Sequence, residues 1–231
     1  MRAVWIVVAL GSIALGAAQI EKPADDWLQK AFQAYSQLQT LQSKTTLTVL
    51  MVNARYPDGQ PVQRYVYAYT VQPPARLHLL VKDANAPGEG QRYTSDGQTF
   101  RYEQGTKPVA NSGIALLEML SEAGVLPTYD LVFVLGGKNS QEKFRKQITS
   151  LKVATEDEKQ VVLAGRIRNE RGKEDGIEIT LDKSTGLMRV LRIRTEVKID
   201  EQPGALVLVM EFEATPNVPV SEQTWNTPAQ K

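Results

Sequence analysis

Cysteine is absent from the sequence. That excludes disulfides, thiolate metal sites and cysteine nucleophiles. It also excludes a lipid-modified cysteine, so the expected product is soluble rather than tethered. Histidine is nearly absent too: His78 stands alone, and one imidazole cannot assemble a histidine-based metal site or a recognisable hydrolytic triad. It shares parity with Arg76, Leu80 and Lys82 on "ARLHLLV" and reads as a structural residue. Net charge is almost nil, with 27 basic against 26 acidic residues, so nothing attracts nucleic acid. The glycines of "APGEG" lack a following Lys-Ser/Thr and a strand-to-helix setting, which excludes a phosphate loop. The acids of "TEDE" lack calcium-loop spacing and read as a solvated turn. "RIRNERGKED" mixes signs at a hairpin tip and reads as solvated charge or a partner surface. No nucleophile–base pair is legible, so no catalytic residue, cofactor or metal is expected.

Only one long hydrophobic run exists, at the start. Arg2 precedes "AVWIVVALGSIALGAA", whose small-residue end places Gly16 and Ala18 at a cleavage pattern. Residues 1–18 therefore read as a secretory signal peptide cut before Gln19. An uncleaved anchor helix is the competing reading, but the run is short and weakly flanked by charge. Arg2 is the one charge in this segment, so cleavage leaves a chain of zero net charge. A cysteine-free exported chain fits a bacterial periplasm or exterior. Hydrophobic residues make up 42% of the sequence and charged residues 23%, which supports one real core over residues 19–231 and argues against bulk disorder.

After the cut, "PADDWLQKAFQAYSQLQTLQ" has helical spacing. Trp27, Leu28, Ala31, Phe32, Tyr35, Leu38 and Leu41 form one apolar stripe, and Asp25 or Asp26 can cap it, giving a helix over 24–42. From Ser43 the period becomes two. "TLTVLMVNA", "VQRYVYAYTVQ", "ARLHLLVKD" and a hairpin around Asp96-Gly97 follow in turn, with short connections that imply an antiparallel meander.

The middle is apolar on more than one side. "NSGIALLEMLSEAG" reads as a helix capped by Ser112 and stopped by Gly124. "PTYDLVFVLGGKN" reads as a short helix from Thr128 to Gly136-Gly137, although Val132 and Val134 would also suit a strand. "SQEKFRKQI" adds one or two more helical turns. Strands resume from Thr149 to the end. In these, Leu191, Ile193, Val197 and Ile199 oppose Arg192, Arg194, Glu196 and Lys198. Leu206, Leu208, Met210 and Phe212 share another dry face.

One face wet and one dry, strand after strand, describes an antiparallel sheet covered on one side. The fold class expected is α+β. About ten strands form a large curved antiparallel sheet, an incomplete β-barrel, wrapped around the N-terminal helix and a central helical plug.

The order of elements resembles the periplasmic lipoprotein carrier (LolA-like) superfamily. "VQPPARLHLLV" resembles its strand with a Pro before an extended run. "YTSDGQTFRYEQ" and "ITLDKSTGLMRVLRI" resemble its hairpins, and "VSEQTWNTPAQ" resembles its closing strand, with Trp225 and Pro228 in the aromatic and proline positions. The likeness covers nearly all of 19–231 and is greater to uncharacterised periplasmic members than to the carrier itself. It implies a half-barrel with a helical lid over a hydrophobic cavity. One position departs: the carrier has Arg immediately before that Pro, implicated in holding the plug closed and in cargo transfer, whereas here Gln72 precedes Pro73 and Arg76 lies beyond it.

The ladder Tyr65, Tyr67, Tyr69 suits either core packing or a cavity wall, because three buried hydroxyls need partners. The cavity residues expected are Trp27, Phe32, Tyr35, Tyr65, Tyr67, Tyr69, Leu77, Leu79, Leu116, Leu120, Leu206, Leu208 and Met210. Helix 24–42 and segment 112–136 would cover part of the dry face, and a hydrophobic ligand the rest. The function expected is a carrier or binding protein for a lipid, acyl chain or lipidated protein. The alternative is a non-enzymatic sensor or scaffold module that holds a membrane-protein partner in the envelope.

Overall fold

A computed structural model describes residues 19–86 and 88–226. The signal-peptide reading of 1–18 and the proline match at Pro228 lie outside the described residues. The structure is α+β, with twelve strands in one open sheet. The first strand run comprises β1 (Gln19–Ile20), β2 (Leu41–Val52), β3 (Gln60–Gln72), β4 (Arg76–Asp83), β5 (Gln91–Asp96), β6 (Thr99–Tyr102) and β7 (Gly105–Pro108). The second comprises β8 (Ile148–Glu156), β9 (Gln160–Arg168), β10 (Glu174–Asp182), β11 (Met188–Ile199) and β12 (Gln202–Pro216). The spatial order is β1-β8-β9-β10-β11-β12-β2-β3-β4-β5-β6-β7. Every pairing is antiparallel except β1 with β8. The count exceeds the expected ten because the two-residue β1 and the short β7 also pair.

The last strand, β12, pairs with β2 along twelve residue pairs from Ala205–Val52 to Pro216–Leu41. This joins the two runs in the middle of the sheet and leaves β7 and β8 far apart, near opposite edges. The chain must cross the sheet between them, and it does so as α2 (Gly113–Glu122) and α3 (Tyr129–Gln147). A crossover of this kind lies across a face, and the dry face is the one that gains from being covered. Register shifts interrupt β2–β3 at Val49/Leu50, β8–β9 at two places and β10–β11 at Thr180/Leu181. Such bulges increase twist and bending, which suits a sheet that curls around its cover.

The first helix, α1 (Lys22–Ser36), is shorter than the stripe suggested. Ala24, Leu28, Ala31, Phe32 and Tyr35 are buried at helical spacing. Leu38 is buried beyond the helix end, and Leu41 is already the first residue of β2. The termination is set by partners distant in sequence. Gln39 N–H donates to Asn217 Oδ1 at 2.9 Å, and Thr40 Oγ1 donates to the Val218 carbonyl at 2.7 Å. These bonds tie the connection to the far end of β12. Neither Asp25 nor Asp26 caps the helix: Glu21 is the N-cap, and it makes no side-chain cap bond. Asp25 instead meets Arg145 of α3 at 2.9 Å, and Asp26 meets Lys22 at 3.0 Å.

Helix α2 begins as read, with Ser112 Oγ accepting from Ala115 N–H at 3.3 Å, and Gly124 follows its end at φ +79°. Helix α3 does not stop at Gly136-Gly137. It kinks there, with Gly137 at φ 53°, and continues to Gln147. Glycine tolerates this left-handed geometry, so the pair is a bend inside the helix rather than its end. Between α1 and α3 sits an aromatic cluster. Phe133 meets Phe144 at 5.2 Å, Phe32 at 5.4 Å and Tyr35 at 5.6 Å, all edge-on, the arrangement that the ring quadrupoles favour.

The start of α2 is held against backbone. A Cβ on Gly113 would lie 2.0 Å from the Leu135 carbonyl oxygen and 2.5 Å from that of Pro74. Neither atom can swing aside as a side chain can. Gly113→Ala is therefore expected to destabilise the protein by about 1–3 kcal/mol through overpacking, opposite in sign to the gain of roughly 0.4–1 kcal/mol for a compatible Gly→Ala change. The urea midpoint at constant m-value reads the difference.

Candidate functional site

An open groove of about 850 Å³ lies where α2, α3 and the middle of the sheet meet. Its walls are apolar for simple reasons of spacing. Ile114 and Leu117 come from α2, Tyr129, Val132 and Phe133 from the first half of α3, and Leu208 and Met210 from the dry side of β12. Leu126, in the α2–α3 connection, stands at its mouth at 57% exposure, and Ile114 at 44%. Two large aliphatic side chains are thus left in water at the rim of an apolar groove.

The apolar surface does not end at the groove. Leu208 pairs with Val49 and with Ile193, and Leu206 pairs with Met51. Residues opposite one another in register share a face, so these side chains continue the Leu208 wall along the sheet. Val49, Met51, Ile193 and Leu208 are half-buried, and Leu206 is 40% exposed.

The residues anticipated for the cavity separate into three groups. Leu208 and Met210 line the groove. Phe32, Tyr35, Tyr67, Tyr69, Leu77, Leu79, Leu116 and Leu120 are buried in the packed core, the four leucines completely. Leu206 and Tyr65 lie on the uncovered part of the dry face, while Trp27 is half-buried outside it, with the Lys30 ammonium 4.4 Å and the Lys183 ammonium 5.7 Å from its ring centre. Strand parity identifies the dry face, but only the placement of the helices decides which part of that face is sealed.

Within the tyrosine ladder, Tyr65 accepts from the Gln63 side-chain amide and Tyr69 enters a buried network. Tyr69 donates to Asp130 Oδ2. Thr128 Oγ1 donates to the Tyr69 hydroxyl at 3.4 Å, Ser43 Oγ donates to the same Asp130 oxygen at 3.2 Å, and the Leu131 N–H donates to Oδ1 at 2.8 Å. Ser43, Thr128 and Asp130 are all buried, Asp130 completely. Asp130 was not singled out from the sequence. Its signal was a lone acid inside the apolar "PTYDLVFVL", one turn into a helix whose N-terminal dipole favours a negative charge. Thr128 is the N-cap residue, yet its hydroxyl turns to Tyr69 rather than to the helix. The network thus fastens the start of α3 to β2 and β3.

Burial pushes the Asp130 carboxyl above its ordinary value against the opposing donors from Thr128, Tyr69, Leu131 and Ser43. The Tyr69 hydroxyl is pushed well up, first by burial and then by Asp130. Tyr35 is raised for the same two reasons, and its oxygen accepts from Met188 N–H at 3.3 Å. His78 is lowered by partial burial and by Arg92. No group of three or more His, Cys, Asp or Glu suited to a metal ion occurs among the described residues. No helix among the described residues is long and apolar enough to cross a membrane.

No protein-family model matches the chain, and no curated protein matches it. Solved structures similar to it include the MucA/MucB complex of Pseudomonas aeruginosa, at 18% identity and TM-score 0.42 over 87% of this chain and 60% of that one. LprF from Mycobacterium bovis is 14% identical, with TM-score 0.48 over 91% of this chain and 99% of that one. A LolA superfamily protein from Nitrosomonas europaea is 10% identical, with TM-score 0.36 over 87% of this chain and 96% of that one. The chain spans between 58% and 65% of the chains matched in the three MucB structures. A member of the superfamily that the sequence resembles is among these similar structures, and none of these likenesses assigns a ligand or partner.

The buried network yields a pH prediction. Tyr69→Phe leaves the Asp130 carboxyl short of its main side-chain donor and should cost about 1–3 kcal/mol. Because the folded pKa of Asp130 is raised, its contribution is greatest below the ordinary value of 3.8 and is lost as pH rises through the folded value. The stability of the native chain relative to Asp130→Asn should therefore fall as pH is raised through that window. Urea unfolding of both proteins across mildly acid to neutral pH measures it.

Proposed function

We propose that the protein binds an acyl chain, presented by a lipid or a lipidated protein, in the groove between the α2–α3 lid and the dry face of the sheet. The observation that carries this reading is the open apolar groove of about 850 Å³ with Leu126 and Ile114 exposed at its mouth. Its volume lies within the range of small-ligand sites. Burying a chain there gains about 25 cal/mol per Å² of apolar area removed from water, offset by the lost freedom of the ligand and any movement of the lid. The lid buries Leu116, Leu120 and Val125 in the core, so its opening would have to expose them. It is fastened at the start of α2 by Gly113 and at the start of α3 by the Asp130 network, and its connecting segment carries exposed Leu126. Opening would be a shift between populations with no chemical step, so the reading is of a binding protein or carrier and not an enzyme. The compartment that suits it is the bacterial periplasm, after cleavage near Ala18.

Holding a membrane-protein partner in the envelope is the competing role, and it would use the exposed charged hairpins more than the groove. One substitution separates the two. Leu208→Asp puts a charge on the groove wall at a half-buried position. It should weaken binding of a fluorescent fatty-acyl probe at least tenfold while leaving circular dichroism unchanged. Native mass spectrometry of gently purified wild type should find bound lipid. No lipid and no probe binding by wild type would overturn the reading.

A further inference from the structure

A second recess of about 470 Å³ adjoins the groove and shares Asn139, Lys143 and Gln147 with it. It lies between the second half of α3 and the end of β9, and it adds Lys146, Arg168 and Glu142 to its walls. The other cations of this helix are already committed: Lys138 pairs with Glu142 at 3.8 Å, and Arg145 pairs with Asp25. Lys143, Lys146 and Arg168 have no carboxylate partner among the described residues and are exposed. Lys146, in the last turn, also complements the helix dipole. That does not account for Lys143, a turn earlier, or for Arg168, which a different element supplies.

The charges at the other side of the groove are opposite in sign. Glu118 and Glu122 come from α2, with Glu122 held by Lys107 at 2.7 Å. Glu170, two residues beyond Arg168 in the β9–β10 turn, is an acid on the recess side of the groove wall and is not one of this far group. An apolar channel with an uncommitted cationic recess at one end and acids at the other is matched by a molecule with one anionic head and one apolar tail. We infer that the groove takes an anionic amphiphile, its carboxylate or phosphate head seated by Lys143, Lys146 and Arg168 and its chain running past Ile114 and Leu117 of α2 toward Leu208. This rests on the groove being the ligand site and adds the charge and orientation of the ligand.

The test compares oleate with monoolein, which has the same chain and a neutral head, on the full chain at low and moderate salt. Wild type should bind oleate at least tenfold more tightly, with the preference shrinking as salt rises. In the Lys143→Gln/Lys146→Gln/Arg168→Gln variant the preference should vanish while monoolein affinity stays within twofold. Inorganic phosphate at millimolar concentration should not displace oleate. Equal binding of both lipids by wild type, or an undiminished preference in the variant, would overturn the inference and leave the groove reading standing. Displacement by phosphate alone would overturn it in favour of a free-anion site. Failure of both lipids to bind wild type would overturn the groove reading and this inference with it.

Discussion

The whole structure depends on covering one dry face. Strand after strand presents apolar side chains to the same side of a single sheet, and the described residues supply three α-helices to lay against it. Apolar area left in water costs free energy in proportion to its extent, so the arrangement of the cover decides both stability and surface chemistry. The start of α3, whose Asp130 reaches Tyr69, and the fully buried Leu116 and Leu120 of α2 belong to the sealed part with Tyr69, Leu77 and Leu79, which are almost inaccessible, while α1 packs on α3 and β8. Another face of α2, with Ile114 and Leu117, and the exposed Leu126 of its connection border the groove. Beyond the helices, the strip from Leu208 to Leu206 and Met51 is covered by nothing in the chain as described. Sealed core, groove and open strip are three degrees of cover on one continuous surface.

Attachment of the lid differs from what the family resemblance implied. Gln72 stands where that resemblance places an arginine, and Arg76 is drawn to Glu222 of the C-terminal 3-10 turn at 2.7 Å. What fastens α3 here is a buried carboxylate bonded to a tyrosine, a serine and a backbone N–H. A buried polar network is specific because each member left unpaired carries a desolvation penalty. It fixes the start of α3 in one register on β2 and β3, while in the connection before it Val125 is buried in the core and its neighbour Leu126 is exposed. The Gly113 contact does the same for the other end of α2 by shape rather than charge.

Much of this was legible from periodicity. The switch from helical spacing to alternation, the Asp96-Gly97 hairpin, the Ser112 cap and the wet-and-dry faces of β11 and β12 all follow from local sequence. Helix α1 was read too long because Leu38 and Leu41 extend its apolar stripe; the bonds that end it reach to Asn217 and Val218, far along the chain. The Gly136-Gly137 pair signalled a stop and proved a kink, because the aromatic packing of Phe144 against Phe133 and Phe32 rewards continuing the helix. The groove was harder still. Leu77 and Leu208 look alike in sequence, each apolar on the dry parity of a strand. One lies under the helices and the other beside their open end, a distinction made by the crossover and not by either residue. Asp130 was hidden for a related reason, since its partners Ser43 and Tyr69 come from strands nearly ninety and sixty positions away.

Absence of cysteine makes the central claim directly measurable, because one introduced thiol can be labelled uniquely. A fluorophore on Ser121→Cys would sit on the groove wall. A control on Glu158→Cys would lie in the β8–β9 turn, at the other end of β9 from Arg168 and so about 25–30 Å away along a nine-residue strand. Titration with a stearate carrying a nitroxide on its chain should quench the first label saturably and leave the second unaffected. Equal quenching of both labels, or quenching of neither, would contradict the account that the groove between α2, α3 and β12 is where an acyl chain lies.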